Sequence, residues 1–219
     1  MKSTTYKYTS KGTHKSFRLK EADIFVFTFL YYKRHLTTRQ ITQLYSAFEG
    51  RDFSEDSVFT KLNRFSKYGA ILTKKIDKRD NSITRRTTFS LKDRMVDYLQ
   101  ELGRIPAGSS KRRYSSSISL HTLCSREILV RTLLEVSKKT NTNKILCELD
   151  IRSYHQKQKK TEIEDAGLLL IPDEHISYKD KNIYIEMDMC KETNATLVEK
   201  APKQKNVHFF VLGYLLFLV

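Results

Sequence analysis

The sequence predicts an α+β fold in two parts, on three observations. Residues 21–69 place apolar side chains at helical spacing three times over. Two runs rich in β-branched residues then flank a polar turn at 77–81, as in a hairpin. A small, polar, basic stretch at 106–117 separates this half from one with shorter apolar runs of strand type.

The first helix is expected from Glu21, carried by Ala22, Ile24, Phe25, Phe27, Phe29, Leu30 and Tyr31, and ends near Lys33 and Arg34. Thr37 is a candidate N-cap for a second helix, because its side chain can accept from the first free N–H groups. Ile41, Leu44, Tyr45 and Phe48 follow at helical spacing. Glu49 to Asp52 makes the turn. The third helix opens at Ser54 with Glu55 and Asp56, whose charges suit the positive end of the helix dipole. Val58, Phe59, Leu62 and Phe65 form its apolar stripe. Thr60, Lys61, Arg64 and Lys67 are assigned to another face, and Gly69 to the C′ position that ends it.

Ile71–Ile76 and Ile83–Leu91 read as paired strands around the turn Asp77–Asn81, and a further helix is expected over Lys92–Leu102. Three helices, a basic hairpin and a closing helix are the parts of a winged helix-turn-helix. In that arrangement the third helix enters the major groove and the hairpin grips backbone or minor groove. The residues expected to face DNA are Arg39, Lys61, Arg64 and Lys67 on helices, and Lys74, Lys75, Lys78, Arg79, Arg85 and Arg86 on the wing.

Charge separates the two halves. Residues 1–114 hold 25 Lys and Arg against 11 Asp and Glu, whereas residues 115–219 hold 15 against 14, within a whole-chain net of +15. A basic half beside a near-neutral one points to a polyanion partner for the first half only. A single Lys/Arg face is usually just solvated, but helix, hairpin and the basic segment 1–20 here carry the same sign. Duplex DNA is favoured over single-stranded RNA, since no motif of interleaved aromatics appears.

Cys124, Cys147 and Cys190 are an odd number at wide spacing, without metal-ligand or redox pairing, and read as reduced thiols of a cytoplasmic protein. The polar, basic start is no secretory signal. The apolar run from His208 to Val219 is shorter than the roughly 20 residues a spanning helix needs. It is expected as a buried strand or helix. Membrane or partner contact, or an end that is not the natural one, are the alternatives.

In the second half a helix is expected from about Leu120 to Lys138. A strand or short helix over 143–152 carries Glu148. Gly167–Asp173 reads as an apolar strand, Ser177–Asn182 as a hairpin turn and Ile183–Asp188 as the returning strand. Alternation along that strand would project Glu186 and Asp188 from one face, with Asp173 brought near by the hairpin and Glu148 alongside. Clustered carboxylates suit Mg²⁺, a hard cation that prefers oxygen and shares its shell with phosphate. Acids at strand ends are also ordinary surface residues.

The order of these pieces resembles the replication-relaxation family. The resemblance rests on Ser119-Leu120-His121-Thr122-Leu123, Cys147-Glu148-Leu149, Ile171-Pro172-Asp173 and Tyr184-Ile185-Glu186-Met187-Asp188, followed by Glu192-Thr193, all behind a winged helix. It implies a protein of bacterial plasmids or integrative elements, acting in plasmid replication, DNA relaxation or mobilisation. It further implies a second half of restriction-endonuclease-like α/β fold with acids of the Pro-Asp…Glu-x-Lys type. Asp173 and Glu186 then match the two nuclease acids and, with Glu148, are the implied metal ligands. Asp173, Glu186 and Asp188 are the implied catalytic set. Asp188 stands where a nuclease holds lysine, and an aspartate cannot help activate water in the same way. Metal binding without cleavage, a different nicking chemistry and a retired scaffold all stay open.

The expected organisation is a basic N-terminal tail (1–20), a winged helix DNA-binding domain (21–104), a linker (105–117), an endonuclease-like domain (118–206) and an apolar C-terminal segment (207–219). The expected partners are double-stranded DNA, other replication or mobilisation proteins and a second copy of the chain, without a membrane. The competing expectation is a non-enzymatic winged-helix regulator of transcription or replication with a C-terminal interaction domain.

Overall fold

A computed structural model of the chain describes residues 5–9, 16–75, 87–108, 120–140, 174–178, 181–187, 209–212 and 215–218. These hold five helices and nine strands of mixed α and β type, in agreement with an α+β fold. The chain divides into two compact units. One is Met1–Ile118 with Val130–Cys147, and the other is Ser119–Leu129 with Glu148–Val219.

The first unit begins with a difference from expectation. Segment 1–20 was expected as a basic tail, but Thr5–Thr9 (β1) and Ser16–Lys20 (β2) pair as antiparallel strands. Their alternation explains this. Tyr8, Phe17 and Leu19 are buried, while Lys7, Arg18 and Lys20 between them are exposed. Period-two patterning of this kind closes a half-buried ribbon onto a core.

Helix α1 (Glu21–Lys33) follows directly. Buried residues lie all round it, including Asp23 and Lys33, so it is the central element of this unit. It ends at Arg34, whose φ of 65° is uncommon for a residue with a side chain; its N–H donates to the Leu30 carbonyl at 2.8 Å. Leu36–Thr37 (β3) is a two-residue strand that pairs with a later one. Helix α2 (Thr38–Glu49) is capped as its sequence predicts. Gln40 N–H donates to Thr37 Oγ1 at 3.3 Å, and Thr37 N–H donates to Gln40 Oε1 at 3.0 Å.

Helix α3 (Glu55–Lys67) has Ser54 as N-cap, accepting from Ser57 N–H at 3.2 Å. At its other end Gly69, with φ 74°, donates to the Ser66 carbonyl, and Ala70 N–H donates to that of Phe65, both at 3.0 Å. This is a Schellman closure, and it needs the left-handed backbone that glycine adopts without strain. Ile71–Lys75 (β4) and Thr87–Leu91 (β5) then pair antiparallel, and β3 adds to the far side of β5, giving the order β3-β5-β4. Helix α4 (Asp93–Glu101) completes the set. Helix α1 packs on α2, α4 and β5, while α3 packs on α2 and β4. Phe27, Phe29, Leu44, Leu62, Phe65 and Phe89 are fully buried between these elements. Each such side chain contributes roughly 1.5–3 kcal/mol through removal from water.

Helix α5 (Leu120–Thr140) follows the segment expected as a linker, and Leu123, Leu129, Val130 and Leu133 are buried along it. In the second unit the described strands are Glu174–Tyr178 (β6), Lys181–Met187 (β7), Phe209–Leu212 (β8) and Leu215–Leu218 (β9). They form one antiparallel sheet of order β6-β7-β9-β8. The strand expected over 167–173 and the element expected over 143–152 lie outside the described residues. The apolar end, expected as one strand or helix, is instead two short strands. One of them, β9, pairs with β7 and so belongs to the same sheet. Among the described residues no helix is long and apolar enough to cross a membrane.

Candidate nucleic-acid interface

Helix α3 sorts its residues cleanly. Val58, Leu62 and Phe65 are buried, whereas Thr60, Arg64 and Lys67 are exposed. Successive residues rotate by about 100°, which puts Lys67 nearly opposite the centre of the buried stripe and Arg64 well onto the solvent side. Among the described residues no carboxylate pairs with Arg64 or Lys67. The cap at Ser54 and the closure at Gly69 hold this face on a rigid rod.

Lys61 is differently engaged. By the same rotation it lies only about 65° from the centre of the buried stripe. Its ammonium forms an ion pair with Asp23 Oδ1, and Asp23 is 2% exposed. The same ammonium sits 4.3 Å from the centre of the Tyr45 ring, in cation–π contact. The Asp23 carboxylate also accepts from Tyr45 Oη at 2.7 Å and from Lys20 N–H at 2.8 Å. Burial, with the Asp23 charge added to it, holds the Tyr45 hydroxyl well above the ordinary phenol range, so it stays a donor. Asp23, Tyr45 and Lys61 thus tie α1, α2 and α3 together. Sequence reading missed this group, although the position of Lys61 beside the apolar stripe was a usable signal.

Arg39 is exposed on the first turn of α2. Lys74 and Lys75 lie on β4, opposite Thr88 and Thr87 in register. Lys78, Arg79, Arg85 and Arg86 lie outside the described residues. Phe59, read from sequence as part of the buried stripe, is 38% exposed and meets the Phe89 ring edge-on at 6.2 Å.

The N-terminal hairpin is fastened to the same unit by aromatic and polar contacts. Phe17 stacks on Tyr68 with ring centres 5.1 Å apart and lies 5.3 Å from Phe65. Tyr8 meets Tyr98 edge-on at 5.3 Å. Tyr6 Oη donates to Glu21 Oε2 at 2.5 Å and accepts from Arg104 at 2.8 Å, and Arg104 pairs with Glu21 Oε1 at 2.6 Å.

Of the acidic residues expected to hold metal, Glu186 lies on β7, opposite Leu216 of β9. Asp173, Asp188 and Glu148 lie outside the described residues. The register sets Glu174 opposite Ile185, next to Glu186 along β7. Glu174 is buried, and sequence reading passed it over in favour of its neighbour Asp173. Among the described residues no three His, Cys, Asp or Glu gather as metal ligands would.

No curated protein and no solved structure matches the chain. The family described as replication-relaxation does match, over residues 27–206.

Proposed function

The chain belongs to the replication-relaxation family, and on that premise we propose that it serves a plasmid or mobile element by binding duplex DNA through a winged helix-turn-helix. The observation that carries the reading is the solvent face of α3. Arg64 and Lys67 stand clear of the core on a helix capped at both ends, with Thr60 beside them. In a helix-turn-helix such a helix enters the major groove, while basic residues of the hairpin and of α2 bind phosphates and set the register. Arg39, Lys74 and Lys75 suit that supporting role, and Lys78, Arg79, Arg85 and Arg86 are proposed to extend it. Lys61 is given the structural task of holding α3 against α1. The test is titration of a labelled duplex with the chain and with Arg64→Ala/Lys67→Ala, which should bind more weakly.

The second half is proposed as an endonuclease-like domain that assists relaxation or nicking. Asp173, Glu186 and Asp188 are its proposed catalytic acids. Asp173, Glu186 and Glu148 are its proposed Mg²⁺ ligands, since carboxylate oxygens suit this cation. The β6–β7 pairing supports the choice, because it brings the start of β6 beside the position of Glu186. Asp188, standing where a nuclease carries lysine, favours the second reading, a regulator that binds without cutting. Supercoiled plasmid incubated with Mg²⁺ separates the two. Relaxation by the wild type and not by Asp173→Ala/Glu186→Ala supports the enzyme. Selective binding without relaxation assigns the regulator.

A further inference from the structure

We infer that the β1–β2 hairpin is a second phosphate-binding surface, which grips the backbone of the duplex that α3 engages. This rests on the DNA-binding reading above and adds to it a site formed by Lys7, Arg18 and Lys20. The two faces of the hairpin have opposite fates. Tyr8, Phe17 and Leu19 are buried, and Tyr6 is held by Glu21 and Arg104. The alternate positions, Thr5, Lys7, Thr9, Ser16, Arg18 and Lys20, are all exposed.

That outer face carries three cations and three hydroxyls and no acid. In register Lys7 lies directly opposite Arg18, and Thr5 opposite Lys20. Like charges set opposite each other on paired strands repel, so this arrangement does nothing for folding. Among the described residues no carboxylate pairs with any of the three cations. A polyanion laid on the face would relieve the repulsion. Lysine, arginine, serine and threonine are also the side chains that bind phosphate oxygens without reading sequence.

Rigidity and position favour the same partner. The hairpin is fixed to the fold through Phe17, which touches Phe65 and Tyr68 at the end of α3 that carries Arg64 and Lys67. The strands that carry the three cations are already folded against the core, so little backbone entropy is lost when phosphates bind them.

The experiment compares the full chain with Lys7→Ala/Arg18→Ala/Lys20→Ala, titrating cognate and scrambled duplexes across a salt series. The variant should melt no lower than the parent, since the replaced side chains are exposed and their repulsion is removed. It should bind both duplexes more weakly, and the slope of log K against log salt should shrink by about 2–3. Unchanged affinity and slope would overturn the inference while leaving the role of α3 intact. A variant that binds DNA as the parent does but self-associates would overturn it too, assigning the charges to guarding the open strand edges. A parent chain that binds no duplex even at low salt would sink the DNA-binding reading together with this one.

Discussion

Lys61 of α3 reaches back to Asp23 of α1, placing its ammonium on a buried carboxylate that Tyr45 also donates to. This pair sets the seating of α3 and divides its basic residues into two kinds. Lys61 is part of the joint between helices. Arg64 and Lys67 are left to the surface.

The division predicts opposite phenotypes. Lys61→Met should cost roughly 3 kcal/mol, the lower end for breaking a buried pair, because Tyr45 and the Lys20 N–H still serve Asp23. Arg64→Ala should change stability by no more than about 0.5 kcal/mol, as surface substitutions do. Urea denaturation of both variants measures this, and equal stabilities would refute the assignment of Lys61.

The hairpin should behave as part of the fold. Phe17 is 9% exposed against Phe65 and Tyr68, so Phe17→Ala is expected to cost roughly 3–5 kcal/mol. A shift in the urea midpoint of matching size checks it. A loose chain end would tolerate the change without loss.

Helix α2 depends on its reciprocal cap. Thr37→Ala removes the acceptor for Gln40 N–H and should lower stability by about 1–2 kcal/mol. Thr37→Ser keeps the oxygen and should recover most of that loss in thermal melts.

Alkaline stability should fall because of Tyr45. Its hydroxyl is held above the ordinary phenol range by burial and by Asp23. Below a pH of about 10 both folded and unfolded chains keep this proton, and stability does not depend on it. Above that value the unfolded chain loses the proton first, so the unfolded state gains and stability declines. Denaturation midpoints measured from neutral to alkaline pH should therefore drop more steeply for the wild type than for Tyr45→Phe. Parallel curves would remove Tyr45 as the cause.

Much of the first unit was legible because its signals are local. Thr37, Ser54 and Gly69 mark helix ends through chemistry confined to a few residues, and each marks the end expected of it. The hairpin of β1 and β2 escaped notice because its lysines and arginine dominate the composition. The alternation of Tyr6 and Tyr8 with Lys7, and of Phe17 and Leu19 with Arg18, was nevertheless present. The Lys61–Asp23 pair was hidden for a different reason. The two residues lie on different helices, and only packing brings them together. Strand β3 is two residues long, too short for any period to announce. For the acidic site, Glu186 was placed on a strand correctly, whereas the neighbouring strand begins at Glu174, just past the Pro172-Asp173 where the expected one ended.

Binding of duplex DNA by the solvent face of α3 is measured through the salt dependence of duplex affinity for the wild type and Arg64→Ala/Lys67→Ala. For the wild type log K should fall linearly with log salt, and the slope should be smaller by about 1–2 in the variant. Equal affinities and equal slopes for the two proteins, with both fully folded, would contradict binding through α3.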